Sequence, residues 1–361
     1  GIIVLSLLLT HNSFSDYGDL NSFNKWLTKN DHYNFVREVD ICKEFKKNSK
    51  EWFSAKCENY PKGRFLLKNN LKIKFFDGWI PEEVAKPNYG TLLYEFYKYT
   101  VFPFKKANGP DKYEIDPSSN PYEFKSNLQE DKYIDKQLEK TGLISYLRFE
   151  GGQITIDKIS PNDRFGKFIK EDTKLRAMSV GRSMASYTLA HAICEGYIDS
   201  FDTRLNDWPL LENTLYYNQK LSDILNMNSG DHNYIESSEF INSKKLAKKF
   251  RGSLDHTTVS LDEYLYHLKN TKPSIKKRPR FNYNSINSSI VLNYILFKTG
   301  NDFEKILEKT FKEKAKIKNS VFFFKIKHST RESGNVNIQF YATRYDYLRI
   351  AKAMLDDWQN D

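Results

Sequence analysis

The stretch MSVGRSMASYTLAHAICEGYIDS, residues 178–200, decides how this chain is read. One serine, Ser179, stands immediately ahead of a helical run. Val180, Met184, Tyr187, Ala190, Ile193 and Cys194 recur at spacings of three and four, which predicts one apolar stripe along a helix. Gly196 supplies a stop. A helix N-terminus is electropositive and carries unpaired backbone N–H groups. A serine oxygen placed there turns anionic more readily, and a developing oxyanion finds backbone donors nearby. Arg182 projects from the same face one turn later. Serine is also a common helix cap, and taken alone the stretch reads better as a cap than as a catalyst. The surrounding sequence has to decide.

Working outward, GLISYLRFEGGQITIDKIS (142–160) is two apolar or alternating runs around Gly151-Gly152. It predicts a hairpin with strands at Leu143–Phe149 and Gln153–Ile159. Downstream, Ile290, Val291, Tyr294 and Ile295 predict a helix over Ser288–Lys298, stopped by Gly300. A short charged helix is predicted over Phe303–Phe311. A longer one over Tyr345–Trp358 rests on Leu348, Ile350, Ala351, Met354 and Leu355. VFFFKIKH (321–328) reads as a strand.

Upstream, residues 16–138 carry many Asn, Lys, Asp and Tyr and few long periodic runs. Short helices are expected around Asp19–Asn30 and Thr91–Thr100, and strand material at 65–76. NGPDKYEIDPSSNP (108–121) reads as turns. This region is expected to be an extension of unassigned role.

The 361 residues fit one large domain with an extension, or two domains. Hydrophobic residues make up 39% and charged ones 28%, which excludes global disorder. The formal net charge of +10 reads as a lysine-rich solvated surface. Its basic runs at 243–252, 276–280 and 308–318 are scattered and carry no zinc-finger or RNA-binding spacing. A basic nucleic-acid or polymer binder is therefore a minor alternative.

The opening GIIVLSLLLTHNSFSDY is too short an apolar run to span a bilayer and suits the core of a secretory signal. Residues 1–15 are thus expected to be a partial signal peptide, with cleavage near Ser13–Ser15. That implies a periplasmic or secreted protein without stable membrane insertion. Cys42 and Cys57 lie close enough in sequence to pair in an oxidising compartment. Cys194, on the predicted stripe, is expected to be a small buried hydrophobe. No Cys or His cluster suggests a metal, and no cofactor is expected.

Motifs within and beyond the 178–200 stretch fall in one order. Ser179-Val180-Gly181-Arg182 opens the helix. Glu195-Gly196-Tyr197-Ile198 follows it, with Asp199 and Asp202 beyond. LSDILNMNSG places Met227, Ser229 and Gly230 after a further short helix. RPRFNYNSINSSIVLNYILFKTG sets Tyr283, Asn284 and Ser285 ahead of the Ile290 helix. YATRYDYLRIAKAML (341–355) then opens the late helix with Arg344 and Asp346. This order resembles the serine β-lactamase and penicillin-binding-protein superfamily, in its esterase-like, β-lactamase-related branch.

The resemblance covers about 139–361 and implies an α+β fold, an antiparallel sheet flanked by helices. It implies a serine hydrolase domain over those residues, preceded by a mixed N-terminal extension. It implies cleavage of an ester, amide or β-lactam-like bond in a small-molecule or peptide-like acyl substrate. Ser179 would form the acyl-enzyme and Tyr283 would accept and return the proton. Ser285, Ser229 and His232 are taken as substrate-binding positions. His191, three turns along the helix, reads as structural.

Two departures stand out. The family has lysine where this chain has Arg182. Lysine can shed its proton when its pKa is depressed, whereas arginine stays charged. A fixed cation supports nearby negative charge but is no base. The alternative is therefore a catalytically inactive binding protein on the same fold. The family's last motif, a Lys or His before Ser or Thr and Gly, would follow the late helix. Neither Lys140-Thr141-Gly142 nor Lys298-Thr299-Gly300 fits it, so the sequence is expected to be truncated at both ends.

Overall fold

The structure, a computed structural model, describes residues 111–162, 165, 166, 169–229, 261, 262, 265, 281, 283, 285–326 and 330–360, with isolated positions at 46, 48 and 49. The expected signal segment, the elements expected between 19 and 100, Cys42, Cys57, Gly230 and His232 lie outside the described residues.

In chain order the strands are β1 (Lys112–Ile115), β2 (Lys125–Ser126), β3 (Ser145–Glu150), β4 (Gln153–Ile159), β5 (Leu175–Arg176), β6 (Val321–Lys325) and β7 (Val336–Ala342). The α-helices are α1 (Lys132–Lys140), α2 (Gly181–Cys194), α3 (Leu221–Leu225), α4 (Ser285–Thr299), α5 (Phe303–Leu307) and α6 (Arg344–Asn360). The chain divides into two compact units, Gly1–Gly109 with Lys125–Lys170, and Pro110–Phe124 with Glu171–Asp361.

The described part of the first unit is a three-stranded sheet in the order β2-β4-β3 with α1 beside it. The β3–β4 hairpin forms where the sequence places it. Gly151 and Gly152 both take left-handed φ angles, 58° and 79°, as a two-residue hairpin turn demands. Asp131 caps α1 by accepting from the backbone N–H groups of Tyr133 and Ile134. The cap aims Ile134 and Leu138 at Ile156 of β4. Sequence reading leaves this helix out, because its apolar stripe is only two residues deep amid charge.

The second unit holds a four-stranded antiparallel sheet, order β1-β6-β7-β5. Residues 112–115, expected as turn, form its edge strand instead. KYEI alternates exposed and buried, with Tyr113 and Ile115 inward, and pairs with β6 from Lys112↔Phe324 to Ile115↔Val321. The flanking Pro and Asn residues mask this two-residue periodicity in the sequence.

β6 is buried on both faces, which explains its unbroken apolar run. Phe322 and Phe324 cluster with Tyr341 on one face, the Phe322 and Tyr341 rings stacked with centroids 5.1 Å apart. Phe323 meets Phe340 at 4.8 Å on the other, within the main core. That core also takes Met184, Ala185, Leu189 and Ala192 of α2 and Ile290, Val291, Tyr294 and Ile295 of α4.

The late elements run close to expectation with extended ends. α4 begins three residues earlier than predicted. The helix from Phe303 stays α-helical only to Leu307 and continues as a π-turn over Glu308–Lys314. The stripe expected on α2 is displaced. The helix buries Gly181, Met184, Ala185, Tyr187, Thr188, Leu189 and Ala192, while Val180 and Cys194 are exposed. Burial on more than one face erases the single stripe that periodicity assumes. Cys194, the last residue of α2, is therefore exposed rather than buried.

Candidate active site

The approach to Ser179 begins with β5, whose Arg176 Nε donates to Gln339 Oε1 on β7 at 2.7 Å. Ala177 N donates to Phe340 O, so the chain stays tied to β7 up to the turn. Met178 then adopts φ 49°, a left-handed conformation costly for a residue with a side chain. Met178–Val180 forms a single 3₁₀ turn that runs directly into α2.

Gly181 explains how closely this turn sits on the sheet. A Cβ there would lie 2.2 Å from the carbonyl oxygen of Ile338. Only glycine lets the start of α2 rest on the backbone of β7. The helix mouth is thus fixed from two sides, by the ladder before Met178 and by backbone contact after Val180.

Ser179 is exposed at this mouth. Neither the 3₁₀ turn nor α2 has a side-chain cap hydrogen bond. The capping role open to a serine at a helix start is therefore not what Ser179 does. The N–H groups of Val180 and Gly181 donate to Ala177 O and Met178 O within the 3₁₀ turn, and Ser179 stays exposed.

One turn along, Arg182 is half-buried and its guanidinium carbon lies 4.3 Å from the centroid of the Tyr283 ring. The cation meets the aromatic face, where the ring quadrupole is attractive. Burial holds the pKa of Arg182 below the ordinary arginine value, and the neighbouring Tyr283 acts in the opposite direction. An arginine nonetheless keeps its charge throughout the physiological range. Tyr283 is 57% exposed and sits two residues before α4.

The structure thus brings Arg182 and Tyr283 into contact, with Ser179 three residues before Arg182 on the same helical run. Ser285 opens α4. Ser229 lies elsewhere in character. It is 2% exposed, and its hydroxyl donates to Asn287 Oδ1 at 3.0 Å. Asn287 in turn donates to Ile224 O at 3.3 Å. Ser229 therefore fastens the chain after α3 to α4 and presents no hydroxyl to a substrate. His191 is half-buried against Tyr187, ring centroids 4.8 Å apart, and burial holds its pKa below the usual histidine value.

In the late motif, Asp346 meets Arg349, one turn further, at 3.0 Å. Asp346 is fully buried and also accepts from the N–H groups of Lys318 and Asn319, from Asn319 Nδ2 and from the Thr343 hydroxyl. Arg349 reaches on to donate to Tyr122 O at 2.8 Å. An acid in the first turn with an arginine three residues later is the signal that sequence reading passed over.

Among the described residues, no group of three or more His, Cys, Asp or Glu side chains is placed to hold a metal ion. No helix among them is long and apolar enough to cross a membrane.

No protein family matches the chain, and no curated protein matches it in sequence. Solved structures do resemble it. One, a putative 6-aminohexanoate-dimer hydrolase from Bacillus anthracis, superposes with a TM-score of 0.50 at 13% sequence identity, covering 73% of this chain and 69% of that one. The antiparallel sheet and its helices have the α+β, β-lactamase-like fold of that structure.

Proposed function

We propose that the chain is a serine hydrolase that cleaves an ester, amide or β-lactam-like bond through an acyl-enzyme on Ser179. The observation that carries this reading is the group at the mouth of α2. An uncapped, exposed serine stands one turn before a guanidinium that is stacked on Tyr283. The hydrolase named for the similar structure and the order of the sequence motifs support the same assignment.

In this mechanism Ser179 Oγ attacks the substrate carbonyl. The oxygen of Tyr283 accepts the serine proton while its own hydroxyl proton passes to the leaving group. The C–O bond to Ser179 forms first, giving a tetrahedral oxyanion, and the bond to the leaving group breaks as that intermediate collapses. Backbone N–H groups at the helix mouth stabilise the oxyanion. Water then attacks the acyl carbon and releases the acid, and its proton restores Ser179. Arg182 takes no proton. It supplies fixed positive charge and holds the Tyr283 ring. Export to the periplasm or medium fits the apolar opening of the sequence and belongs to the same proposal.

A second reading is favoured by one specific residue. Arg182 is no base, and a chain that depends on a base at this position would bind acyl compounds without turning them over. A fluorophosphonate probe and a labelled penicillin, applied to the folded full chain, separate the two. Labelling that disappears in Ser179→Ala establishes the hydrolase. No labelling of the natural chain, with labelling gained by Arg182→Lys, establishes the binding protein.

A further inference from the structure

β5 is the strand that leads to Ser179, and it is short. It has two residues, Leu175 and Arg176, at the end of the order β1-β6-β7-β5, paired with Ala342 and Tyr341 of β7. Strands usually run to about 3–10 residues, so a ladder of this length holds the chain weakly. A side chain from α6 reinforces it. The hydroxyl of Tyr347 donates to Leu175 O at 2.9 Å and to Phe340 O at 3.2 Å. The single phenol proton is shared between the two carbonyls as a three-centre bond. Phe340 O also accepts from Ala177 N at 2.8 Å, so both of its lone pairs are engaged. One phenol thus joins a carbonyl of β5 to the β7 carbonyl that holds the residue two before Ser179.

The phenol itself is firmly placed. Its ring packs against the main core and meets the Phe340 ring edge-on, centroids 6.2 Å apart. Its N–H donates to Thr343 O in the first turn of α6, beside the buried Asp346–Arg349 pair. Burial holds its pKa well above the usual phenol value, so the hydroxyl keeps its proton at physiological pH. We propose that Tyr347 is a positioning residue for Ser179, its hydroxyl fixing β5 on β7 and so the direction in which the Met178–Val180 turn presents the serine. The inference rests on the serine-hydrolase reading and adds to it a residue that acts through the backbone. Without the hydroxyl, β5 keeps its short ladder and the Arg176–Gln339 bond, and the strain at left-handed Met178 can relax. A nucleophile displaced by 1 Å can lose about a hundredfold in rate, so a smaller shift is already visible in the chemistry.

The test compares Tyr347→Phe with Tyr113→Phe in the full chain. Each variant keeps its ring and deletes one phenol donor. Tyr113 lies on β1, at the opposite end of the same sheet, and donates to Asn335 Oδ1 at 2.6 Å. In urea unfolding both variants are expected to lower the folding equilibrium constant by about two- to tenfold, the worth of one hydrogen bond. Only Tyr347→Phe is expected to slow fluorophosphonate labelling of Ser179, by about tenfold in its limiting rate. The probe concentration at half-maximal rate should stay as in the natural chain, because Tyr347 is not a group that meets the probe. A loss of folded protein would lower the amount labelled and leave that rate constant alone. Hydrogen exchange supplies a readout independent of chemistry. Peptides over residues 175–181 should exchange faster in Tyr347→Phe and at the natural rate in Tyr113→Phe.

A natural chain that labels at Ser179, with the same limiting rate in both variants, overturns the positioning role and leaves the hydrolase standing. A natural chain that does not label overturns the hydrolase reading. Exchange then decides the rest. Faster exchange over 175–181 in Tyr347→Phe alone keeps the fastening of β5, and unchanged exchange overturns that as well.

Discussion

Two helix beginnings in the same unit handle the same physical problem in opposite ways. Every α-helix starts with backbone N–H groups that lack intrahelical partners. At α6 the chain closes the problem. The Thr343 hydroxyl accepts from the N–H of Asp346 and donates to its carboxylate, which also takes the N–H groups of Lys318 and Asn319 and the Arg349 guanidinium. At α2 the chain uses backbone alone, the N–H groups of Val180 and Gly181 donating to Ala177 O and Met178 O. No side chain caps the turn, the serine faces out, and the residue before it is held in a left-handed conformation. The first arrangement commits its polar side chains to the fold, and the second leaves Ser179 exposed and uncommitted to capping. An exposed hydroxyl on a firmly held turn is what the proposed acyl transfer uses.

The sharpest way to break this contrast is to disable each end in turn. Asp346→Ala is expected to destabilise the chain by about 3–5 kcal/mol, because it strands the buried Arg349 charge. Urea unfolding followed by far-ultraviolet circular dichroism measures it. A loss below about 1 kcal/mol would show that α6 is not the closed end described here. Gly181→Ala comes next, at about 1–3 kcal/mol, since the new methyl would meet the backbone of Ile338. The same variant should lower fluorophosphonate labelling, because the helix mouth must shift.

Smaller effects sharpen the comparison further. Tyr283→Ala is expected to cost about 0.5–1 kcal/mol through the lost stack on Arg182. Ser179→Ala should cost less than about 0.5 kcal/mol, against roughly 1 kcal/mol for a serine that caps its helix. A larger loss in that variant would return Ser179 to a capping role.

The pH dependence of the second unit follows from His191. Its folded pKa lies below the unfolded value because burial disfavours the charged ring. The unfolded chain then binds the extra proton first, so this contribution to stability is complete above the ordinary histidine pKa. It is lost as pH falls through the folded one. His191→Gln is expected to flatten the acid side of the unfolding profile between about pH 6.5 and the onset of carboxylate titration. A profile unchanged by the substitution would place the acid sensitivity elsewhere.

Much of this architecture was legible from local pattern. The β3–β4 hairpin was readable from alternation around two glycines, and α4 and α6 from their periodicity. β6 was readable from a run of aromatics. The misses have two causes. β1 depends on a pairing partner about two hundred residues away, and no window of local sequence contains that information. Cys194 and the stripe of α2 were misplaced because a helix packed on several sides has no single apolar face. At the candidate site, Ser179, Arg182 and Tyr283 were chosen from motif order, and the stack of Arg182 on Tyr283 lay beyond any one-dimensional reading. Ser229 matched a motif in sequence, yet its neighbour across space is Asn287.

Met178 has a consequence for anyone who engineers this chain. A glycine at that position would relax the backbone by about 1 kcal/mol or somewhat more, with no change to the helix that follows. Screens for heat tolerance should therefore keep returning to residue 178. The variants they recover would survive warmer conditions while aiming the neighbouring hydroxyl less steadily. Durability and turnover would be traded against each other at a single peptide unit.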